Sequence, residues 1–296
     1  MCGLINEFSV PTAAAAPAGI SSGPDGNLWF TEYQGDKVGR ISVGGAITEF
    51  PVPAPSASPL AIVTGPDNNL WFTENASSNI GKMMTNGITV EYATPTGGSG
   101  PYDITNGPSG TLWFTEINAG NIAEVTTGGA IVEFSTPTSA SDPSGIIAGP
   151  DGNLWFTENN KGKIGRATTA GTITEFGIPG GAASSPVGIA VGADGALWFA
   201  ECTRNFIGRV STGGTVLPQY PLPEPASQPG FATKGPDGAI WFAEFAGNRI
   251  GRITTAGAFT EYAVPTAAGQ PTFVTVGPDG AIWFTEFSGD KIGRLR

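Results

Sequence analysis

Histidine is missing from all 296 residues, and this absence removes a wide range of chemistry. Without imidazole the chain has no side chain whose ordinary pKa makes it a proton carrier near neutrality. The Ser-His and Cys-His nucleophiles and the commonest zinc ligand go with it. Cysteine is scarce as well: Cys2 and Cys202 have no spacing that suggests a metal knuckle or a redox pair, and they are read as incidental. Charged residues make up only 13%, with 14 Lys plus Arg against 25 Asp plus Glu, for a net charge of −11. That balance repels phosphate backbones and argues against nucleic acid as a partner. No stretch approaches the roughly 18 continuous apolar residues of a membrane span, and no basic, apolar leader precedes the first repeat. The expectation is a soluble monomer without a membrane partner, cytoplasmic as written and exported if a leader has been removed.

What the chain does contain is a repeat. "GPDGNLWFTE" at residues 23–32 returns at 149–158, and all seven tryptophans (Trp29, Trp71, Trp113, Trp155, Trp198, Trp241 and Trp283) fall at one point of a 42 to 43 residue period. Gly (45) and Pro (25) are abundant, but they recur at fixed places within the repeat and read as turn chemistry rather than disorder. One repeat contains four short apolar segments, "AGISSG", "NLWFTEY", "KVGRIS" and "AITEFPV", separated by Gly-Pro-Asp-Gly, Gln-Gly-Asp and Gly-Gly turns. Four antiparallel strands per 42 residues, seven times, predict an all-β seven-bladed propeller occupying residues 1–296 as one domain. The chain starts on a fourth-strand match, "LINEFSVP", and ends on a third-strand match, "KIGRLR". The N-terminal strand, residues 4–10, is therefore expected to close the last blade beside Ile292 and remove an exposed sheet edge.

The antiparallel order places the start of each first strand and the end of each second strand on one face of the disc. Near the axis this predicts Ala18, Leu60, Tyr102, Ser144, Val187, Gly230 and Thr272, and at larger radius Glu32, Glu74, Glu116, Glu158, Glu201, Glu244 and Glu286. For these glutamates the expectation is a bridge to the third-strand cations Arg40, Lys82, Arg166, Arg209, Arg252 and Arg294. The turn aspartates, such as Asp25 and Asp151, are expected to bond their own backbone.

With "P-x-G-I", "GPDGxLWFTE", "KIGRI" and "ITEF" in this order, the sequence resembles the streptogramin lyase (virginiamycin B lyase) family over essentially its whole length. The resemblance implies a seven-bladed propeller and a Mg-dependent elimination that opens a cyclic depsipeptide antibiotic at its ester, an antibiotic-resistance activity. It also implies two histidines just after the inner-strand proline of the last two blades and a metal-holding glutamate in the final one. Those positions here are Gly230, Thr272 and Glu286. General acid-base groups contribute about 10²- to 10⁴-fold each, so the resemblance carries the fold and leaves the activity without its proton carriers; no catalytic residue is assigned.

The third repeat departs from the others. It has Tyr102 and Asp103 at the inner rim and Glu124 in place of the third-strand cation, and no basic residue lies between Lys82 and Lys161, a stretch that holds eight acids. Asp103 and Glu116 are candidate oxygen ligands for Ca²⁺ or an organic cation, weighed against simple drift of an acidic surface. The leading functional expectation is a non-catalytic funnel that captures a small or peptidic ligand through Ala18, Leu60, Tyr102, Asp103, Ser144, Val187, Gly230 and Thr272. The alternatives are a carboxylate-based lyase with Mg²⁺ and a structural or interaction scaffold.

Overall fold

A computed structural model of the chain describes residues 3–296, which leaves Cys2 outside the described residues. These contain seven sheets of four antiparallel strands each and one 3-10 turn, Gly181–Ser184. The blades span residues 17–51, 59–93, 101–135, 143–177, 186–221 and 229–263, and the seventh joins 271–295 to Ile5–Ser9. The closing strand pairs in register with the last one, Ile5 opposite Leu295 and Phe8 opposite Ile292.

Burial follows position within the blade. The second strand, Leu28–Glu32 and its six counterparts, is fully buried because neighbouring blades cover both of its faces. The fourth strand alternates between half-buried and exposed residues at the rim. All seven tryptophans have no exposure, and each contributes roughly 5 kcal/mol of apolar transfer free energy. Each stacks on a fourth-strand aromatic: Trp29 on Phe50 at 5.4 Å, Trp71 on Tyr92 at 5.8 Å, and Trp283 on Phe8 at 5.7 Å. The closing strand thus supplies the ring that the last blade needs. Glycine in "KVGR" permits this density, since a Cβ on Gly39 would lie 2.1 Å from the Phe30 ring.

The third-strand cations do not meet the second-strand glutamates. Strand register sets Trp29 opposite Arg40 and Glu32 opposite Lys37, so Arg40 lies at the far end of the strand from Glu32. There the cation pairs with the turn aspartate: Arg40–Asp25 at 3.7 Å, Lys82–Asp67 at 2.7 Å, Arg209–Asp194 at 3.5 Å, Arg252–Asp237 at 2.6 Å, and Arg294 with Asp279. The same cations lie over the tryptophan rings. The aspartate also accepts from the indole, Trp29 Nε1 to Asp25 Oδ1 at 3.0 Å, and from its own turn, Asn27 N to Asp25 Oδ1 at 3.2 Å. The turn reading holds, with an indole and a cation added. In blade 3 Ser109 replaces this aspartate and Glu124 replaces the cation; Trp113 Nε1 is buried without a partner, and Glu124 accepts from Thr111 Oγ1 at 2.7 Å.

Candidate ligand-binding funnel

Each first strand carries one extra residue just after its proline. In blade 3 Pro101 pairs with Glu116 and Ile104 with Phe114, so Tyr102 and Asp103 bulge toward the axis. Every blade repeats the irregularity. Threonine in "WFTE" fixes it: Thr31 Oγ1 accepts from Gly19 N at 2.8 Å and donates to Leu60 O of the next blade at 2.6 Å. Blades 5 and 6 have Ala200 and Ala243 at this position. Bulky Phe231 and Phe273 follow in the next first strands and stack on each other at 3.6 Å between centroids. Tyr102 reaches across the axis to stack on Phe231 at 6.0 Å.

These three rings separate two spaces. On the face with the bulges lies an apolar funnel formed by adjoining cavities of about 210 and 300 Å³. Of the rim residues singled out in the sequence, Leu60, Tyr102, Val187, Gly230 and Thr272 line it. Ala18 and Ser144 are buried at 0% and 2% exposure and do not line it. Asp103 faces a separate cavity of about 190 Å³ on the other side of the rings, lined mainly by aliphatic side chains such as Ile62, Ile104, Ile146 and Val274. Its carboxylate accepts from Ile104 N and Ile146 N, both at 2.9 Å, and so clasps blades 3 and 4. Burial raises its pKa to about 7 despite these two bonds.

Sequence reasoning missed half of the wall. Tyr33, Asn75, Cys202, Phe245 and Phe287 each follow the closing glutamate of a second strand and fold over the funnel mouth, joined by Gln228 and Phe231. The glutamate marked the correct rim, and the wall begins one residue beyond it. Among the described residues the lining contains no Asp, Glu, Lys or Arg. Two of its titratable groups, Tyr102 and Cys202, are held neutral at pH 7. Burial raises the Tyr102 phenol to about 12, and burial likewise pushes the Cys202 thiol up.

The magnesium ion implied by the family resemblance does not find its ligands here. Gly230 has no side chain, and the Thr272 hydroxyl donates to Gln270 O at 3.2 Å. Glu286 has no exposure and lies beneath Gly269 and Gly289, where added Cβ atoms would meet its Oε2 at 2.7 and 2.8 Å. Among the described residues no group of three or more Cys, Asp or Glu side chains is gathered for a metal, so Asp103, Glu116 and Glu286 do not form one ligand set. Glu124 is likewise separate from Glu116, because register places it opposite Trp113 while Glu116 faces Asn121.

The sequence profile of the Virginiamycin B lyase family matches residues 4–229 and 217–296. A streptogramin B lyase structure superposes with a TM-score of 0.94 at 40% identity, over 99% of this chain and 97% of that one. Virginiamycin B lyase from Staphylococcus aureus gives the same TM-score and identity over 99% and 98%. A catalytically inactive histidine-to-alanine form of that enzyme, with quinupristin, gives 0.93 at 39% over 99% and 98%. The curated virginiamycin B lyase of Saccharopolyspora erythraea is 46% identical over 41 residues, a match spanning 14% of each chain.

Proposed function

The chain belongs to the virginiamycin B lyase family, and we propose that it is a member that binds its ligand without turning it over. The observation that carries this reading is the funnel wall: aromatic and apolar, open on one face, and without a group that can accept a proton at neutral pH. An elimination needs a base within about 3 Å of the proton it removes. The wall offers a protonated thiol and a protonated phenol instead. The ring carboxyls lie behind it: Glu244 and Glu286 are fully buried and do not line the cavity.

The same wall describes the ligand. Tyr33, Tyr102, Phe245 and Phe287 suit flat or apolar groups, while Asn75, Gln228 and Thr272 supply neutral hydrogen bonds. The expected ligand is an uncharged small molecule or peptide bearing aromatic or apolar side groups. Quinupristin is the probe to use, because a close structural relative was seen with it. Isothermal titration should give one-to-one binding that Phe245→Ala weakens about tenfold or more. Mass spectrometry of the same mixture should recover intact probe with Mg²⁺ or EDTA alike. Probe opening that EDTA stops would establish instead the lyase reading, which whole-chain likeness to an enzyme family supports.

A further inference from the structure

Beneath the floor made by Tyr102, Phe231 and Phe273 the axis is not filled. A chamber of about 190 Å³ lies there, and every blade contributes one aliphatic side chain to it from the same repeat position. Five blades contribute isoleucine, such as Ile62, Ile104 and Ile146, whereas blades 6 and 7 contribute the smaller Ala232 and Val274. Toward the face of the Gly-Pro-Asp-Gly turns its lining residues Val63, Ile147 and Thr233 are half-buried, and the first strands of blades 3 and 6 end in exposed Asn106 and Lys234. The chamber is thus reached from the face opposite the funnel, and the three rings divide the two spaces.

One charge stands in this apolar space. At the second bulge position blades 1, 4 and 5 have glycine, because a Cβ on Gly19, Gly145 or Gly188 would meet the backbone of the next blade at 2.4, 2.4 or 2.5 Å. Blade 3 has Asp103 instead. Contact between neighbouring blades is therefore made at this position without an acid, and the clasp from Asp103 to Ile146 N does not by itself account for a carboxylate. Among the described residues Asp103 is the only charged group lining the chamber, and it forms no ion pair. Each of its oxygens accepts one neutral amide, Ile104 N or Ile146 N, and keeps a further lone pair. An ionised carboxylate among aliphatic walls is costly until a cation joins it.

We propose that the chamber is a second binding site, for a small organic ammonium ion with a short apolar chain. The ammonium donates to Asp103, with the hydroxyls of Thr105 and Thr233 as further acceptors, and the chain lies against the aliphatic ring. The size is suitable, since an apolar cavity of about 150 Å³ holds a benzene molecule. A metal ion requires several oxygen ligands, whereas one carboxylate in an apolar chamber suits an alkylammonium. An Asp103 that only clasps two blades is the competing arrangement.

Isothermal titration with n-pentylammonium chloride at pH 8 separates the two. The wild type should bind one ion saturably below about 10 mM, and pentanol, of equal length and no charge, should bind at least about tenfold more weakly. Asp103→Asn should abolish the preference for the ammonium over the alcohol. Ala232→Ile provides a second route that leaves both amide bonds of Asp103 in place. It restores the isoleucine of five sibling blades and occupies part of the chamber, so affinity should fall about tenfold or more while the melting temperature holds or rises. Phe245→Ala, a change to the funnel wall, should leave ammonium binding unchanged, and Ala232→Ile should leave quinupristin binding unchanged, so the two sites are tested independently. The proposal would be overturned by the absence of saturable binding below about 10 mM, by equal affinity for pentanol, by undiminished affinity in Ala232→Ile, or by loss of ammonium binding in Phe245→Ala.

Discussion

Blade 3 carries a defect that its siblings show how to repair. In the other six blades the tryptophan indole donates to a turn aspartate at 2.9 to 3.1 Å. Trp113 Nε1 is just as buried and has no acceptor, because Ser109 stands where the aspartate would be. The turn itself is preserved, Gly110 at φ 75° against Gly26 at φ 74°, so an aspartate in place of Ser109 has the same backbone to stand on. A buried donor without a partner costs about 1–3 kcal/mol, and a half-exposed ion pair adds about 0.2–1 kcal/mol. Ser109→Asp with Glu124→Arg should therefore stabilise the fold by about 2 kcal/mol. At about 2.1 cal/mol/K of unfolding entropy per residue, that raises the melting temperature by about 3 °C. Neither single change should achieve this. Ser109→Asp alone sets a new carboxylate against Glu124, whereas Glu124→Arg alone removes the acceptor of Thr111 and gains no acid. A double-mutant cycle by calorimetry should return a coupling of at least about 1 kcal/mol. Additive singles, or a double variant no more stable than wild type, would show that the indole and the cation are not one unit.

Three further outcomes follow from particular contacts. Burial raises the Glu158 carboxyl from 4.5 to about 8, so the native state holds a proton that the unfolded chain releases above pH 4.5. The resulting stability is complete below pH 4.5 and is lost as pH rises toward 8. Glu158→Gln should leave urea unfolding at pH 4 nearly unchanged and stabilise the protein at pH 7 by up to about 3 kcal/mol; an equal effect at both values would refute the assignment. Deleting residues 1–10 removes Phe8 from Trp283 and reopens a sheet edge, and should lower the melting temperature by well over 5 °C. A Cβ on Gly230 meets nothing closer than 3.8 Å, whereas one on Gly39 would strike Phe30 at 2.1 Å. Thermal melts should find Gly230→Ala near neutral and Gly39→Ala several kcal/mol destabilised.

The fold was legible because its signals are repeated. Seven tryptophans at one period, strand-sized apolar runs and a displaced fourth-strand copy at the N-terminus each pointed to the same closed ring. The cation pairing was misread although the sequence contained the means to place it. Once Gln34-Gly35-Asp36 is taken as the turn, Glu32 must face Lys37 and Arg40 must lie three residues deeper, opposite Trp29. What strand counting could not supply was the bulge, because an extra residue changes which side chain faces the axis. That single residue separates Tyr102, in the funnel, from Asp103, in the cavity beyond the rings.

The positions that break the repeat are also those that distinguish one part of the molecule from another. A symmetric ring of seven equal blades would present seven equal inner rims and no preferred site. Here Ala200 and Ala243 replace the bulge-fixing threonine just ahead of Phe231 and Phe273 in the following blades, and Tyr102 crosses from the opposite side to meet them. The result is a closed floor under one open mouth. Gly230 and Thr272 lie on that floor, so the place where related enzymes are expected to keep their proton carriers persists as a shaped, neutral cavity. The proposed reading, a funnel that holds a ligand without deprotonating it, rests on this neutral lining. On that reading, conferring lyase chemistry would take more than Gly230→His and Thr272→His. It would also require a carboxylate brought out from behind the wall, where Glu286 is now covered by the close approach of Gly269 and Gly289.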